Sequence, residues 1–447
     1  MSLLPRAAEG APAPTDPSAS SVHAWTRVLG TGAIQRDFGH EITANARGEV
    51  LVAARLGRLD DTARDDNIAV PRSRREDTTV DLSAADLLRL GPSGETIRTV
   101  RLRAALALQA PAVALDDAGG AYIAGPYVPQ DGALRGARDV GVTKLGPDGR
   151  VEWARALFEL PQEAGRPRVQ ALRSAADPSG GVCLTWIGEQ RRWRAVRAVR
   201  LASDGAIAWD YSWPITAGHA DDPHVGVDES GAALLWGTFR GSLALHDGVR
   251  AESASEARYF VRIEPDGRLC WAYPLPAYSL TPHAIGVARD GEIAHVFMVP
   301  AVHTKGPRAA PLLVVRCIDT DGKPRSLVRG QLDRHGAISS LCVAPGGRDG
   351  FTLAGYFSGV LQLGDTTLQS VTPASEAVFI AHVNPNGAVT GRAFQGPQLQ
   401  AGLSVHASTP GSVVVGGWLC GSMVLGDHTV TSPAAQAALF LASLPVP

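Results

Sequence analysis

The sequence predicts an all-β fold, a seven-bladed β-propeller of four-stranded antiparallel blades. Three observations carry the prediction. A hairpin turn recurs along the chain, at Gly94, Gly149, Gly205, Gly267, Gly322 and Gly387, with separations of 55, 56, 62, 55 and 65 residues. Short strands of alternating or continuous apolar character flank every turn. No segment of comparable length carries a 3.6-residue period. A repeat of this length is one supersecondary unit that can bury its faces only against its neighbours, which is the logic of a radial array.

Each element follows from local chemistry. Asp-Gly and Asn-Gly, as in "PDGRVEWARAL" (147–157), favour tight hairpins because both residues tolerate positive φ. The strand before each turn carries a basic residue near its end (Arg89, Lys144, Arg200, Arg262, Arg316, with His382 in the last), and a further strand follows the turn. A second hairpin lies upstream in each unit, as in "HVGVDESGAALLWGTF", so a unit holds four strands, a to d from the axis outward. The last unit ends after its third strand (437–444), while residues 22–30, "VHAWTRVLG", resemble an outermost strand with nothing before it. Pairing the two ends completes a seventh blade and removes both exposed edges. Trp25, Trp153, Trp209 and Trp271 then share one outer-strand position, where a large ring covers the seam between blades.

Composition bounds the function. The chain has 447 residues, 45% hydrophobic and 19% charged, and its apolar runs are too short to span a bilayer. With 42 basic and 44 acidic residues it offers no overall attraction to nucleic acid. Residues 1–21 read as a disordered Ala/Pro/Ser-rich lead and 22–447 as a single domain, expected to be monomeric. The lead has no export signal, so the chain as written reads as cytoplasmic, and as extracytoplasmic if the native start has been removed. Cys183, Cys270, Cys317, Cys342 and Cys420 are expected to be buried free thiols.

The unit at 355–396, "GYFSGVLQLGDTTLQSVTPASEAVFIAHVNPNGAVTGRAFQG", resembles the SBBP-type seven-bladed propeller repeat of bacterial, especially myxobacterial, surface and secreted proteins; delta-60 repeats are the second resemblance. It implies a propeller and an extracytoplasmic protein without assigned activity, and it supplies no catalytic residues.

Candidate sites lie on the face that carries the d-to-a and b-to-c connections, where length varies most. It includes a charged insertion at 56–81 and three extensions of one design, "GSLALHD" (241–247), "GVLQLGD" (359–365) and "GSMVLGD" (421–427), read as lengthened b strands turning at the aspartate. The segment "GHADDPH" offers His219, Asp221, Asp222 and His224 in the connection leading into the fourth blade. His224, His283 and His40 share a place at the start of strand a and would be the ligands of a divalent metal, the one cofactor these residues suggest. A polar loop with strand-capping histidines explains the same residues. The run "RRWRAVRAVR" (191–200) puts Trp193 and Arg194 among basic residues suited to an acidic partner, or else forms an outer strand with a solvated basic face. There is no G-x-S-x-G, S-x-x-K or phosphate-binding glycine loop. The leading expectation is a non-enzymatic binding or scaffolding propeller whose top face meets a protein, peptide or glycan. The alternative is a metal-dependent hydrolase or lyase at the channel mouth.

Overall fold

The computed structural model describes residues 24–29, 41–54, 84–103, 111–125, 140–157, 168–190, 193–246, 249–276, 283–299, 310–334, 336–346, 350–372, 376–395, 403–407, 409, 411–419, 421–432 and 438–447. His40, the insertion at 56–81 and Cys420 lie outside them. The described residues form an all-β chain with no helix long and apolar enough to cross a membrane.

β1 (Trp25–Leu29) pairs with no sequence neighbour. β2 (Glu41–Ala44), β3 (Val50–Ala54), β4 (Ala84–Leu90) and β5 (Thr96–Arg103) form a four-stranded antiparallel sheet in chain order, as do β6 (Ala112–Leu115), β7 (Ala121–Gly125), β8 (Gly141–Leu145) and β9 (Val151–Ala156). β10 (Arg168–Ala176), β11 (Val182–Gln190), β12 (Trp193–Leu201) and the first part of β13 (Ile207–Val227) repeat the pattern. From Ile215 onward β13 pairs instead with β14 (Ala233–His246), which continues to β15 (Val249–Ile263) and β16 (Leu269–Pro276). β17 (His283–Val287), β18 (Ile293–Val299), β19 (Leu312–Ile318) and β20 (Pro324–Leu332) follow. Next come β21 (Ala337–Pro345), β22 (Phe351–Ser358), β23 (Val360–Leu363), β24 (Thr366–Gln369), β25 (Ala377–Val383) and β26 (Val389–Gln395), and then β27 (Ser404–Ala407), β28 (Ser412–Leu419), β29 (Ser422–Leu425), β30 (His428–Thr431) and β31 (Ala438–Pro445).

The two ends of the chain meet as expected: β1 pairs β31 antiparallel from Trp25↔Ser443 to Leu29↔Leu439, completing the order β1-β31-β28-β27. The first strands of successive sheets contact one another in turn, β2 with β6, β6 with β10, β10 with β13, β13 with β17, β17 with β21 and β21 with β27, and β27 returns to β2. This arrangement of four-stranded antiparallel sheets is propeller-like. The core lies in the seams: one cluster joins Tyr356, Val378 and Ile380 of one sheet to Val413, Val415 and Phe440 of the next. Each such side chain, once fully buried, contributes about 1.5–3 kcal/mol.

The recurring tryptophan and turn glycine form one joint. Trp25 Nε1 donates to Pro92 O at 2.9 Å, Trp153 Nε1 to Ser203 O at 2.9 Å and Trp271 Nε1 to Thr320 O at 2.8 Å, each reaching the c–d turn of the following sheet. Two residues beyond, Arg27, Arg155 and Tyr211 donate to the carbonyls of Gly94, Gly205 and Gly267. Gly94 has φ +80°, and a Cβ there would stand 2.6 Å from the Trp25 ring, so glycine is needed both for the backbone and for the approach.

The basic stripe is structural. Arg89 bonds Glu49 at 2.9 Å and Pro147 O at 3.0 Å, Arg200 bonds Asp177 and Gly231 O, and Arg262 bonds Asp228 at 2.8 Å, so these groups tie a sheet to itself and to its neighbour.

Four expectations need correction. The "GHADDPH" segment is not a loop but part of β13, a continuous strand that crosses from one sheet to the next and is irregular at Gly218 (φ +81°) and Asp222 (φ +50°). β12 is not an outer strand with a solvated face: it lies between β11 and β13, and Arg197 and Arg200 on it are buried and bonded to Asp210 and Asp177. The extension at 241–247 is the expected lengthened strand, but the other two are separate hairpins, β23–β24 and β29–β30, set off by Gly359 (φ +82°) and Gly421 (φ +95°) and turning at Gly364-Asp365 and Gly426-Asp427. They act as straps. β14 pairs Leu243 with Ile215, β23 pairs Leu363 with Gly330, and β29 contacts β26, so each reaches back to the outer strand of the preceding sheet. The cysteines Cys183, Cys270, Cys317 and Cys342 are free, but only Cys183 and Cys317 are buried as expected: Cys342 and Cys270 are half-buried, the latter with its Sγ 3.1 Å from Glu264 Oε1.

Candidate functional site

The innermost strands bring ionisable side chains from β2, β10 and β13 together, with His283 of β17 interacting electrostatically with Asp222. Two bulges make this possible. The β10–β11 register shifts between Gln170 and Arg173, and the β13–β14 register shifts between Asp221 and His224. Each bulge holds a non-glycine residue in the left-handed region, Ala171 at φ 51° and Asp222 at φ 50°. A bulge re-aims the side chains beside it, and a strained φ held by the surrounding pairing is a feature of binding and catalytic sites.

The aimed groups form a chain of ion pairs. Glu41 Oε1 lies 3.2 Å from Arg173 Nη1, Arg173 Nη2 lies 3.7 Å from Asp222 Oδ1, and the same carboxylate oxygen is 3.0 Å from His224 Nε2. The His224 ring stacks flat on Trp236, centroids 5.5 Å apart and 3° between planes, which fixes its orientation. Burial pushes the Asp222 carboxyl up, but the hydrogen bond and charge of His224, with Arg173 and His283, outweigh it and hold the group at about 2. Burial raises Glu41, against the opposing pull of Arg173, although 30% of its side-chain surface stays exposed. Burial, with the nearby Arg258 charge adding, holds His283 at about 4.

On the opposite face of β13, Arg194 Nη2 donates to Ala220 O at 3.2 Å and lies 3.4 Å from Asp221 Oδ1, while His219 Nε2 is 3.7 Å from Asp221 Oδ2. The two segments singled out in the sequence are therefore joined through the Arg194–Asp221 pair. Trp193 lies on β12. Of the three histidines expected to hold a metal, His224 and His283 are described and His40 is not. Among the described residues no group of three or more His, Cys, Asp or Glu side chains is placed to hold a metal ion.

The sequence reading missed Glu41, Arg173, Arg258 and His295. A signal for two of them was present in the repeat. Counting back four residues from the a–b turn residues Asn45, Asp177 and Asp228 lands on Glu41, Arg173 and His224, equivalent positions on three inner strands. Arg258 and His295 sit on β15 and β18 and meet across a seam, Arg258 Nη1 2.6 Å from His295 Nε2. No pattern along one strand announces that contact.

No family model matches this sequence, and no curated protein is similar to it. The resemblance to the SBBP repeat therefore rests on the residues quoted above. Solved structures resemble it at the level of architecture. A subtype N11 neuraminidase-like protein of A/flat-faced bat/Peru/033/2010 (H18N11) is 9% identical, covering 86% of this chain and 98% of its own, with a TM-score of 0.35. An α-L-arabinanase of Penicillium chrysogenum, solved with arabinobiose, is 9% identical over 75% of this chain and 92% of its own, TM-score 0.37. A PL25 ulvan lyase is 8% identical over 82% of this chain and 80% of its own, TM-score 0.38. At these values the fold of this chain rests on its own strand pairing, and its site on its own side chains.

Proposed function

We propose that the chain is a seven-bladed β-propeller, residues 22–447 behind a short lead, that works as a non-enzymatic binding module. Its ligand, part of a protein, peptide or glycan, meets the channel mouth formed by β2, β10, β13 and β17. The succession of inner-strand contacts that returns from β27 to β2 supports the blade count. The observation that carries the binding reading is the pair of strained bulges that converge Arg173, Asp222 and His224 with Glu41. Their protonation favours binding over catalysis. A general acid or base works best with a pKa near the working pH, whereas Asp222 at about 2 and His283 at about 4 are held in one state, charged and neutral respectively. Fixed charges and neutral donors in a rigid frame suit recognition of a polar ligand.

The test compares the intact chain with an Asp222→Asn/Arg173→Ala variant on a glycan array and an immobilised peptide library. The expected result is a defined set of binders lost at least tenfold by the variant with its fold retained. Binders that ignore the substitutions would place recognition elsewhere, and turnover of a bound glycan would overturn the non-enzymatic reading.

A further inference from the structure

Arg258 is 3% exposed. Every other buried arginine among the described residues has a carboxylate: Arg89 has Glu49, Arg197 has Asp210, Arg200 has Asp177 and Arg262 has Asp228. No carboxylate of the described residues lies within ion-pair distance of Arg258. Its Nη1 donates instead to His295 Nε2 at 2.6 Å, and its Nε is buried without a partner. Because an arginine in contact can only donate, His295 accepts through Nε2 and carries its proton on Nδ1, which is also buried without a partner. Burial leaves Arg258 at about 10, so it stays cationic at neutral pH. A buried, uncompensated cation costs several kcal/mol unless something supplies the opposite charge.

We propose that Arg258, His295 and His283 form a site for an oxyanion, the carboxylate, sulfate or phosphate group of the ligand that enters at the channel mouth. This rests on the binding reading above and names the chemistry that the ligand carries. His283, half-buried at the start of β17, pairs opposite Phe297, whose ring lies 4.7 Å from that of His295, and it interacts electrostatically with both Arg258 and Asp222. The charges facing the site are unbalanced on its inner side. Arg258 and Arg316, the latter over the Phe297 ring at 5.3 Å, both act on His295, whereas the acids that act on Arg258 are Glu256 on its own strand and Asp222, already bound by His224 and Arg173. An incoming anion would neutralise Arg258 and make protonation of His283 favourable, while His295, whose Nε2 accepts from Arg258, stays neutral, so binding takes up a proton at His283 and tightens as pH falls.

The experiment titrates the full chain with sodium sulfate, phosphate, acetate and glucuronate against chloride at constant ionic strength. Affinity is followed by calorimetry in two buffers of different ionisation heat, and the histidines by NMR. Saturable binding of at least one oxyanion, with proton uptake and at least tenfold tighter at pH 5.5 than at pH 7.5, is expected; which anion wins identifies the group. Arg258→Met should weaken binding at least tenfold and, without anion, should be at least as stable as the parent because it removes an unpaired buried charge. His283→Gln should bind but lose most of the pH dependence, and it serves if the arginine variant does not fold. Absence of saturation beyond chloride, or unchanged binding in Arg258→Met, or unchanged pH dependence in His283→Gln, overturns the proposal. Oxyanion binding with silent glycan and peptide arrays would sink the macromolecular reading alone, and array binders with no oxyanion effect would sink this site alone.

Discussion

Replacing Gly94 with alanine tests the joint between β1 and the turn after β4. Gly94 lies at φ +80°, where an alanine costs about 1–2 kcal/mol in backbone strain. The added Cβ would also stand 2.6 Å from the Trp25 ring, inside any real carbon contact, and relieving such an overlap costs a further ~1–3 kcal/mol. Gly411 provides the control: it has the same backbone, φ +82°, but nothing lies within 4 Å of its built Cβ, so Gly411→Ala carries the strain alone. Urea unfolding followed by tryptophan fluorescence should therefore show a loss of about 2–5 kcal/mol for Gly94→Ala and about 1–2 for Gly411→Ala. In a Trp25→Ala background the excess at Gly94 should vanish, since the ring it meets is gone. Equal losses at the two glycines in the parent chain would refute the claim that the tryptophan–turn contact holds neighbouring sheets together.

Ala171→Gly should be neutral or stabilise by up to about 1 kcal/mol in the same assay, because relief of a positive φ of 51° exceeds the entropy glycine adds to the unfolded chain. Stability should fall with acidification in two windows: the folded pKa of His283 lies below its unfolded value of 6.5, so the unfolded chain binds more protons and stability is lost as pH drops from about 6.5 towards 4. Asp222, depressed from 3.8 to about 2, contributes stability that is present above pH 3.8 and lost as pH falls through about 2; a melting temperature independent of pH between 7 and 4 would contradict the first window. Deleting residues 1–30 should cost solubility or cooperative unfolding because it exposes the edge of β31, while deleting 1–18 should leave melting unchanged, both checked by calorimetry. Reductant should leave the melting temperature of the intact chain unchanged, as expected if its thiols are free.

The architecture was legible where local chemistry repeats. The turn glycines, the strand pattern and the tryptophan column are each dictated within a few residues, and the pairing of β1 with β31 could be read from which strand each end lacked. The site was legible only in part. Asp222 and His224 stood out because only Pro223 separates them in sequence, but their segment read as a loop, since Gly218, Asp221 and Pro223 are poor strand residues. Pairing on β14 overrides that weak preference and turns the mismatch into a bulge.

What the sequence determined by itself is the repeating unit: where the chain turns, which strands are apolar, which position carries the ring, and that the two termini complement each other. These properties follow from φ preferences and side-chain periodicity, which act over a few residues. What only the tertiary structure decided is which side chains meet: Glu41 with Arg173, Arg173 with Asp222, Arg258 with His295, and the straps with the preceding sheet. Those meetings join residues from fewer than 30 to more than 130 positions apart, Leu243 with Ile215 at one end and Glu41 with Arg173 at the other. They depend on register, bulges and the packing of neighbouring sheets, and burial then decides which of the assembled groups keep their charge.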